Sequence, residues 1–256
     1  MTSRILTRRQ MLLRGSSVLG GLLLTGCDRL TNAPSFRRIL ESAETLTYRS
    51  QRLLLGSGAL AREFSESDLS PVFRSNGTSF PGADLYLRLL ENQFADWRLA
   101  VGGLVAKPLS LSLAALRAMP SRTQITRHDC VEGWSAIGKW TGVPLSSVLK
   151  LAQVMPHARY VVFYCADSLG SEADTYYESV DLLDAFHPQT VLAYGLNGKP
   201  LPVQNGAPLR LRVERQLGYK QAKYIMGMDV VAGLSGIRGG KGGFWEDRGY
   251  EWYAGI

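Results

Sequence analysis

Apolar and polar positions alternate with two different periods along this chain, and the switches between them mark out its elements. A helical period runs from Ser35 to Leu55 in a polar, Arg-rich setting. Trp97 to Val105 alternates as a strand, Lys107-Pro108 turns the chain, and Ser112 begins a short helix that ends before Pro120. Arg122 to His128 alternates again, which places Cys130 just past a strand. Pro144 suits the first position of a helix running through Val154. Ala158 to Cys165, rich in Val, Tyr and Phe, reads as a strand that leads into a polar loop. Leu182 to Ala185 reads as a helical turn before His187-Pro188. Thr190 to Leu196 with Asn197-Gly198 predicts a hairpin entering the loop Lys199 to Pro208. Leu209 to Glu214 and Lys223 to Val231 supply two more strands. Strands outnumber helices and no strand-GxGxxG-helix unit is present, which argues against a Rossmann fold and for an α+β fold with mixed sheets.

The first 27 residues have a different character. Thr7-Arg8-Arg9-Gln10-Met11-Leu12-Leu13 is a twin-arginine export pattern, followed by an apolar run from Val18 to Leu24. That run is shorter than the roughly 18 residues that span a bilayer, and Gly20 and Gly21 interrupt it, so a signal is favoured over a short membrane anchor. Leu24-Thr25-Gly26-Cys27 resembles a lipobox, in which the cysteine is acylated; an ordinary small-residue cleavage site is the alternative. Removing residues 1–26 takes away four arginines and no acid, leaving 25 basic and 22 acidic residues, so the net charge falls from +7 to +3. The basic excess is largely the export signal. With no nucleic-acid motif and no long basic run, nucleic acid is not an expected partner. The expected layout is a signal at 1–27, a tether and helix at 28–69, one main domain at 70–235 and a Gly/aromatic tail at 236–256. About 230 mature residues, in a chain 45% hydrophobic, suffice for that core.

Cys130 carries the most chemistry. It stands in Arg127-His128-Asp129-Cys130-Val131-Glu132-Gly133-Trp134, where charged neighbours would favour a thiolate. In an oxidising compartment a Cys130–Cys165 disulfide is the competing reading. The chain offers no CxxC, no HExxH and three histidines, so a protein-built zinc site is poorly supported. A lone thiolate holds a metal when something else supplies the remaining ligands, as an organic dithiolene does.

His128-Asp129-Cys130-Val131-Glu132-Gly133-Trp134-Ser135, followed by Lys139-Trp140-Thr141-Gly142-Val143-Pro144-Leu145, resembles the core of the sulfite-oxidase-fold molybdopterin oxidoreductases. Within them it is most similar to the branch that includes the catalytic subunit of the periplasmic protein-methionine-sulfoxide reductase. A second block, Leu201 to Leu211 through Gly218-Tyr219-Lys220-Gln221-Ala222-Lys223, resembles that family's pterin-binding segment. The resemblance covers about residues 70 to 232. It implies a molybdopterin-binding catalytic domain at 70–235, one molybdenum-molybdopterin per chain and Cys130 as the metal ligand. It further implies pterin binding by Asn205, Arg210, Gln221, Ala222 and Lys223, and by Asn76 in Arg74-Ser75-Asn76-Gly77. Cys165 aligns with a pterin-contacting threonine. Arg210 offers a planar fork and Lys223 a point charge for the pterin phosphate, and amides around Gly218 to Ala222 could form a nest for it.

Glu132 matches an acidic residue close to molybdenum and is a candidate proton carrier, with burial raising its pKa. A carboxylate beside the metal repels sulfite and favours a neutral substrate. The expected activity is therefore oxygen-atom transfer that reduces a sulfoxide-like substrate, small or protein-bound. A sulfite-type dehydrogenase and a non-catalytic lipoprotein binding module are the alternatives. With no CxxCH haem motif, electrons must pass to or from a separate partner, a membrane haem protein or a cytochrome. The expected location is periplasmic, reached through the twin-arginine translocon, with Cys27 as a lipid tether. The tail's glycines and aromatics read either as packing over the domain's own pocket or as a docking surface.

Overall fold

The computed structural model describes residues 34–56, 58–170 and 174–256. The twin-arginine pattern, the apolar run and Cys27 lie outside those residues. The chain divides into two units, Met1–Leu53 and Leu54–Ile256. Helix α1 (Pro34–Leu55) starts on proline, whose fixed φ and missing N–H suit a first turn. Among the described residues no helix is long and apolar enough to cross a membrane.

The second unit is built on two five-stranded sheets. One is mixed, in the order β2 (Leu109–Ser112), β1 (Arg98–Gly103), β10 (Ile225–Val231), β5 (Tyr160–Ser168) and β6 (Thr175–Asp181). Only the β1–β10 pairing among them is parallel. The other is antiparallel: β3 (Arg122–Cys130), β4 (Trp134–Pro144), β7 (Val191–Leu196) and β8 (Lys199–Pro200), with β9 (Arg210–Arg212) paired to β7. Short helices α2 (Asp84–Glu91), α3 (Leu113–Ala118), α4 (Leu145–Ala152) and α5 (Leu182–Ala185) complete the unit. The α+β, mixed-sheet expectation holds.

Apolar residues of β1, α4, β5 and β10 form the main core around Trp97, Leu99, Leu149, Val162, Phe163 and Val230. A smaller cluster of Phe73, Trp140, Val191, Ala193, Leu196 and Leu201 sits on the antiparallel sheet. Three elements depart from the sequence reading. Strand β4 carries glycines that count against a strand, yet Gly142 is required there: a Cβ would lie 2.2 Å from the carbonyl oxygen of Leu192 on β7. Strand β6, read as part of a loop, hides because its buried positions include Glu178 and Ser179. Helix α2 has an amphipathic face, with Tyr86 and Leu89 buried, but only two turns in which to display it. Residues 58–69, which the sequence leads one to expect as tether, dock on the antiparallel sheet through a bridge from Glu63 to Thr126 and hydrogen bonds between Ala61 and the Gln189 side chain.

Candidate functional site

Strand β3 turns its unusual face inward. Gln124, Thr126, His128 and Cys130 alternate into the interior, so the buried side of this strand is polar. Cys130 is its last residue and pairs with Trp134, the first of β4, across the tight turn Val131-Glu132-Gly133. Gly133 holds φ at 85°, a left-handed value that glycine adopts without strain. The hairpin thereby sets Cys130 at the floor of a cleft of about 240 Å³, with Val131 and Glu132 at its edge. Asn76, Thr78, Asp167, Gly218, Gln221 and Lys223 line the same cleft.

Both described cysteines are free, which removes the disulfide reading. The expected bias toward a thiolate is also absent. Burial raises the Cys130 thiol above its usual pKa and the Glu132 charge adds to this, while a backbone hydrogen bond, Arg210 and Lys223 act the other way. Arg127 is tied to Asp129 at 2.9 Å. His128 is buried, and burial together with Arg212 and Arg210 pushes its pKa well down, so it is neutral. Its Nδ1 lies 2.9 Å from Arg212 Nη1, which can only donate, so the ring proton sits on Nε2. Arg212 is in turn paired with buried Glu214 at 2.5 Å. Gln221 lies close enough to His128 to favour its protonated form, although neither His128 Nε2 nor Gln221 Oε1 has a hydrogen bond of normal geometry.

A buried cation with bare donors lies close to Lys223 of the cleft. Arg210 is fully buried and its guanidinium packs 4.9 Å from the Trp140 ring, with Arg212 4.4 Å from the same ring. Nη1 donates to the Asn205 carbonyl at 2.9 Å, while Nε and Nη2 have no partner. Burial and the neighbouring Arg212 bring its pKa down to about 9. Asn205 Nδ2 and Asn76 Oδ1 are likewise buried without partners. Gly206 allows this crowding: with φ at 112°, a Cβ there would meet Lys223 Cβ at 2.9 Å and Arg210 Cβ at 3.2 Å.

Five expected residues, Asn76, Cys130, Glu132, Gln221 and Lys223, share the cleft, while Asn205 and Arg210 are buried outside its lining, Arg210 packed with Lys223 around Gly206. Cys165 and Ala222 instead belong to the hydrophobic core. Lys223 is not a free point charge, because its ammonium donates to the carbonyls of Asn76 (2.6 Å), Gln204 (3.2 Å) and Thr78. Burial and Arg210 lower its pKa to about 7. The amides of Lys220 and Gln221 donate to Leu217 and Gly218 within their own turn, which withdraws them from the expected phosphate nest. Glu132 is exposed rather than buried, and accepts from Trp134 Nε1 at 2.9 Å.

Asp167 and Tyr176 are cleft residues that the sequence reading missed. Asp167 is 4% exposed, and its Oδ1 has no hydrogen bond of normal geometry. Burial raises its pKa to about 6, against the opposing pull of Lys223. Alternation along β5 was the available signal, since Phe163, Cys165 and Asp167 share a buried face. Tyr176 and Tyr219, with Trp245 and Tyr250 of the aromatic tail that was expected to pack over the pocket or to dock a partner, make the cleft's aromatic wall.

A family model described as oxidoreductase molybdopterin binding domain matches residues 87–235. The chain belongs to this family, and is a molybdopterin-dependent oxidoreductase. It is 39% identical over 251 residues, 98% of its own length and 88% of the relative's, to a chain of Azospira oryzae provisionally described as protein-methionine-sulfoxide reductase subunit YedZ1. It is 43% identical over 148 residues to the protein-methionine-sulfoxide reductase catalytic subunit MsrP of Xanthomonas axonopodis pv. citri, which covers 54% of this chain and 46% of that one. The chain thus spans a little under half the length of that relative. Among solved structures, the sulfane dehydrogenase SoxCD from Paracoccus pantotrophus matches with 25% identity and a TM-score of 0.49, over 54% of this chain and 39% of the other.

The residues present fit a molybdopterin. Among the described residues no group of three or more His, Cys, Asp or Glu side chains could hold a metal ion. An unpartnered buried donor costs about 1–3 kcal/mol. The bare Nε and Nη2 of Arg210 and the Nδ2 of Asn205 therefore suit a bound group rich in acceptors and negative charge.

Proposed function

We propose that this chain reduces sulfoxides, with Cys130 as the molybdenum ligand and one molybdopterin held by Asn76, Asn205, Arg210, Gln221 and Lys223. Cys165 and Ala222, both in the core, contribute through backbone contacts. When bound, the cofactor supplies two-electron oxygen-atom transfer. The observation that carries this reading is that Cys130 and Glu132 line one cleft, with the bare donors of buried Arg210 close enough to act on the Cys130 thiol. The overall change is R₂SO + 2 e⁻ + 2 H⁺ → R₂S + H₂O. The protein's part is to orient the sulfoxide and to bring protons to the departing oxygen.

Two carboxylates face the cleft. Glu132 is open to solvent and suits exchange with water, while Asp167 is buried and holds a proton up to about pH 6. Both disfavour an anion such as sulfite and leave a neutral sulfoxide unopposed. The similarity to proteins named as methionine-sulfoxide reductase subunits supports methionine sulfoxide, free or in a protein, as the substrate.

The electrons come from a separate carrier, a membrane haem protein or a cytochrome. The protein is exported by the twin-arginine route, loaded with its cofactor before export, and is tethered in the periplasm by a lipid on Cys27. Residues 70–235 form the catalytic body, with 236–256 as an added segment. A dye-linked assay of the molybdenum-loaded protein in both directions tests the activity. Reduction of methionine sulfoxide is expected; oxidation of sulfite without sulfoxide reduction would transfer the chain to the dehydrogenases. Mass spectrometry of the mature N-terminus tests the tether, which an unmodified start beyond Cys27 would refute.

A further inference from the structure

Residues 236–256 lie beyond the family-matched span, yet they complete the cleft. Trp245 and Tyr250 line it, with ring centroids 5.2 Å apart. Tyr219, in the turn that also presents Gly218 and Gln221, meets Tyr250 edge-on at 5.2 Å. The result is a continuous aromatic face beside a polar floor.

This face is held in place from behind. Phe244 is buried and stacks on Tyr176 at 5.6 Å. Glu246, next to Trp245, is buried and paired at 2.5 Å with Lys220, which also meets buried Glu178. Asp247 accepts from the Tyr177 hydroxyl and from the amides of Gly239 (3.1 Å) and Lys241 (3.0 Å). Tyr219 donates to the Glu251 carbonyl at 2.6 Å. Lys220 thereby joins the segment to the turn that carries Gln221, so the wall and the floor are positioned together.

At the mouth, Tyr250 is 42% and Val131 46% exposed. Large apolar groups left exposed at the rim of a cleft have no structural role that burial would reward. They suit an amphipathic guest whose apolar stem packs on the aromatic rings while its polar, sulfur-bearing tip reaches the polar groups of the cleft. Because the mouth is open, the chain bearing such a side chain can remain outside while the tip enters.

We infer that Trp245 and Tyr250 are specificity-determining residues that receive the apolar stem of a sulfoxide side chain carried on a polypeptide, directing its S–O group toward Cys130 and Glu132. This rests on the sulfoxide-reductase reading. Sulfite has no stem for this wall to hold, and dimethyl sulfoxide offers two methyl groups.

The molybdenum-loaded full chain is assayed with two probes, the tripeptide Gly-methionine sulfoxide-Gly and dimethyl sulfoxide. In Tyr250→Ala and Trp245→Leu the ratio of kcat/KM for tripeptide over dimethyl sulfoxide is expected to fall about tenfold (~1.4 kcal/mol), through KM. Trp245→Phe should keep most of the wild-type ratio. Quenching of tryptophan fluorescence by the tripeptide in cofactor-free protein gives a second readout, and Tyr250→Ala should weaken that binding by a similar factor. A ratio and an affinity both within twofold of wild type in Tyr250→Ala overturn the inference, even where Trp245→Leu fails to fold. Wild-type protein that is loaded but reduces neither probe overturns the sulfoxide-reductase reading instead, and the fluorescence titration then still decides whether the wall holds the stem.

Discussion

Replacing Arg210 with methionine should make the cofactor-free protein no less stable, while destroying its ability to hold a cofactor. Its guanidinium pKa is about 9, against an ordinary 12.5. At about 1.4 kcal/mol per tenfold in proton affinity, confining this buried cation costs the fold on the order of 5 kcal/mol at neutral pH. Two contacts offset the cost. Stacking on Trp140 contributes about 2 kcal/mol for a desolvated pair, and the bond to the Asn205 carbonyl about 2 kcal/mol. Methionine keeps the stem's packing and removes all three terms, so the cofactor-free variant should gain about 1 kcal/mol. With cofactor at a thousandfold its Kd, the wild type gains about 4 kcal/mol from mass action, and the variant forgoes this. The order of stability therefore inverts on loading. Urea unfolding of both proteins, with and without cofactor, reads the inversion. A cofactor-free variant weakened by more than about 2 kcal/mol, or one that retains wild-type molybdenum, would refute the reasoning.

Cys130→Ser should abolish turnover while leaving the cofactor-free fold within about 1 kcal/mol, measured by dye-linked assay and urea midpoint; an unchanged rate removes Cys130 from the site. Lys223 binds its proton with a pKa of about 7 when folded and about 10.5 when unfolded, so from pH 7 upward the unfolded state holds more protons and stability rises with pH. Cofactor-free protein should gain about 2 kcal/mol between pH 7 and 8.5, and a slope that persists in Lys223→Met would contradict this. Asp167 is shifted the other way: with a folded pKa of about 6 against 3.8, stability falls as pH rises through that window. Asp167→Asn should stabilise the cofactor-free protein by up to about 3 kcal/mol at pH 7 and by little at pH 4. In the loaded enzyme Asp167→Asn should lower kcat at least tenfold and Glu132→Gln less; the reverse order, read from pH–rate profiles, would assign proton delivery to the exposed carboxylate.

What the sequence made legible was set by how local each signal is. Alternation found β3, β5, β7 and β10 because residues two apart share a face whatever the rest of the chain does. It did not find β4 or β6, where the reasons for being a strand lie elsewhere in the structure. Gly142 is explained only by the Leu192 carbonyl that approaches it, and Glu178 only by the Lys220 ammonium it meets. The same limit divides the site. Cys130, Asn205, Arg210 and Gln221 came from motif resemblance, and the structure sets them in or close to one cleft. Spacing held no trace of Lys223 bonding to Asn76, about 150 residues away, or of Glu132 facing solvent.

Asp167 and Trp245 show how a polar or aromatic residue becomes informative only once its surroundings are known. In sequence, Asp167 follows a hydrophobic strand as any loop aspartate does, and Trp245 sits in a run whose glycines suggest mobility and whose aromatics suggest contact without saying with what. In the fold, β5 continues through Asp167 and buries it against the cleft. The run containing Trp245 is pinned by the Glu246–Lys220 pair and the hydrogen bonds to Asp247. Both residues present unsatisfied chemistry to the same space, one an unpartnered carboxylate oxygen and the other part of an uncovered aromatic face. Stability alone favours neither arrangement, since a buried carboxylate costs free energy and an uncovered aromatic rim returns little of it. Their joint placement in the cleft with Cys130 is what the proposed amphipathic, oxygen-bearing substrate calls for.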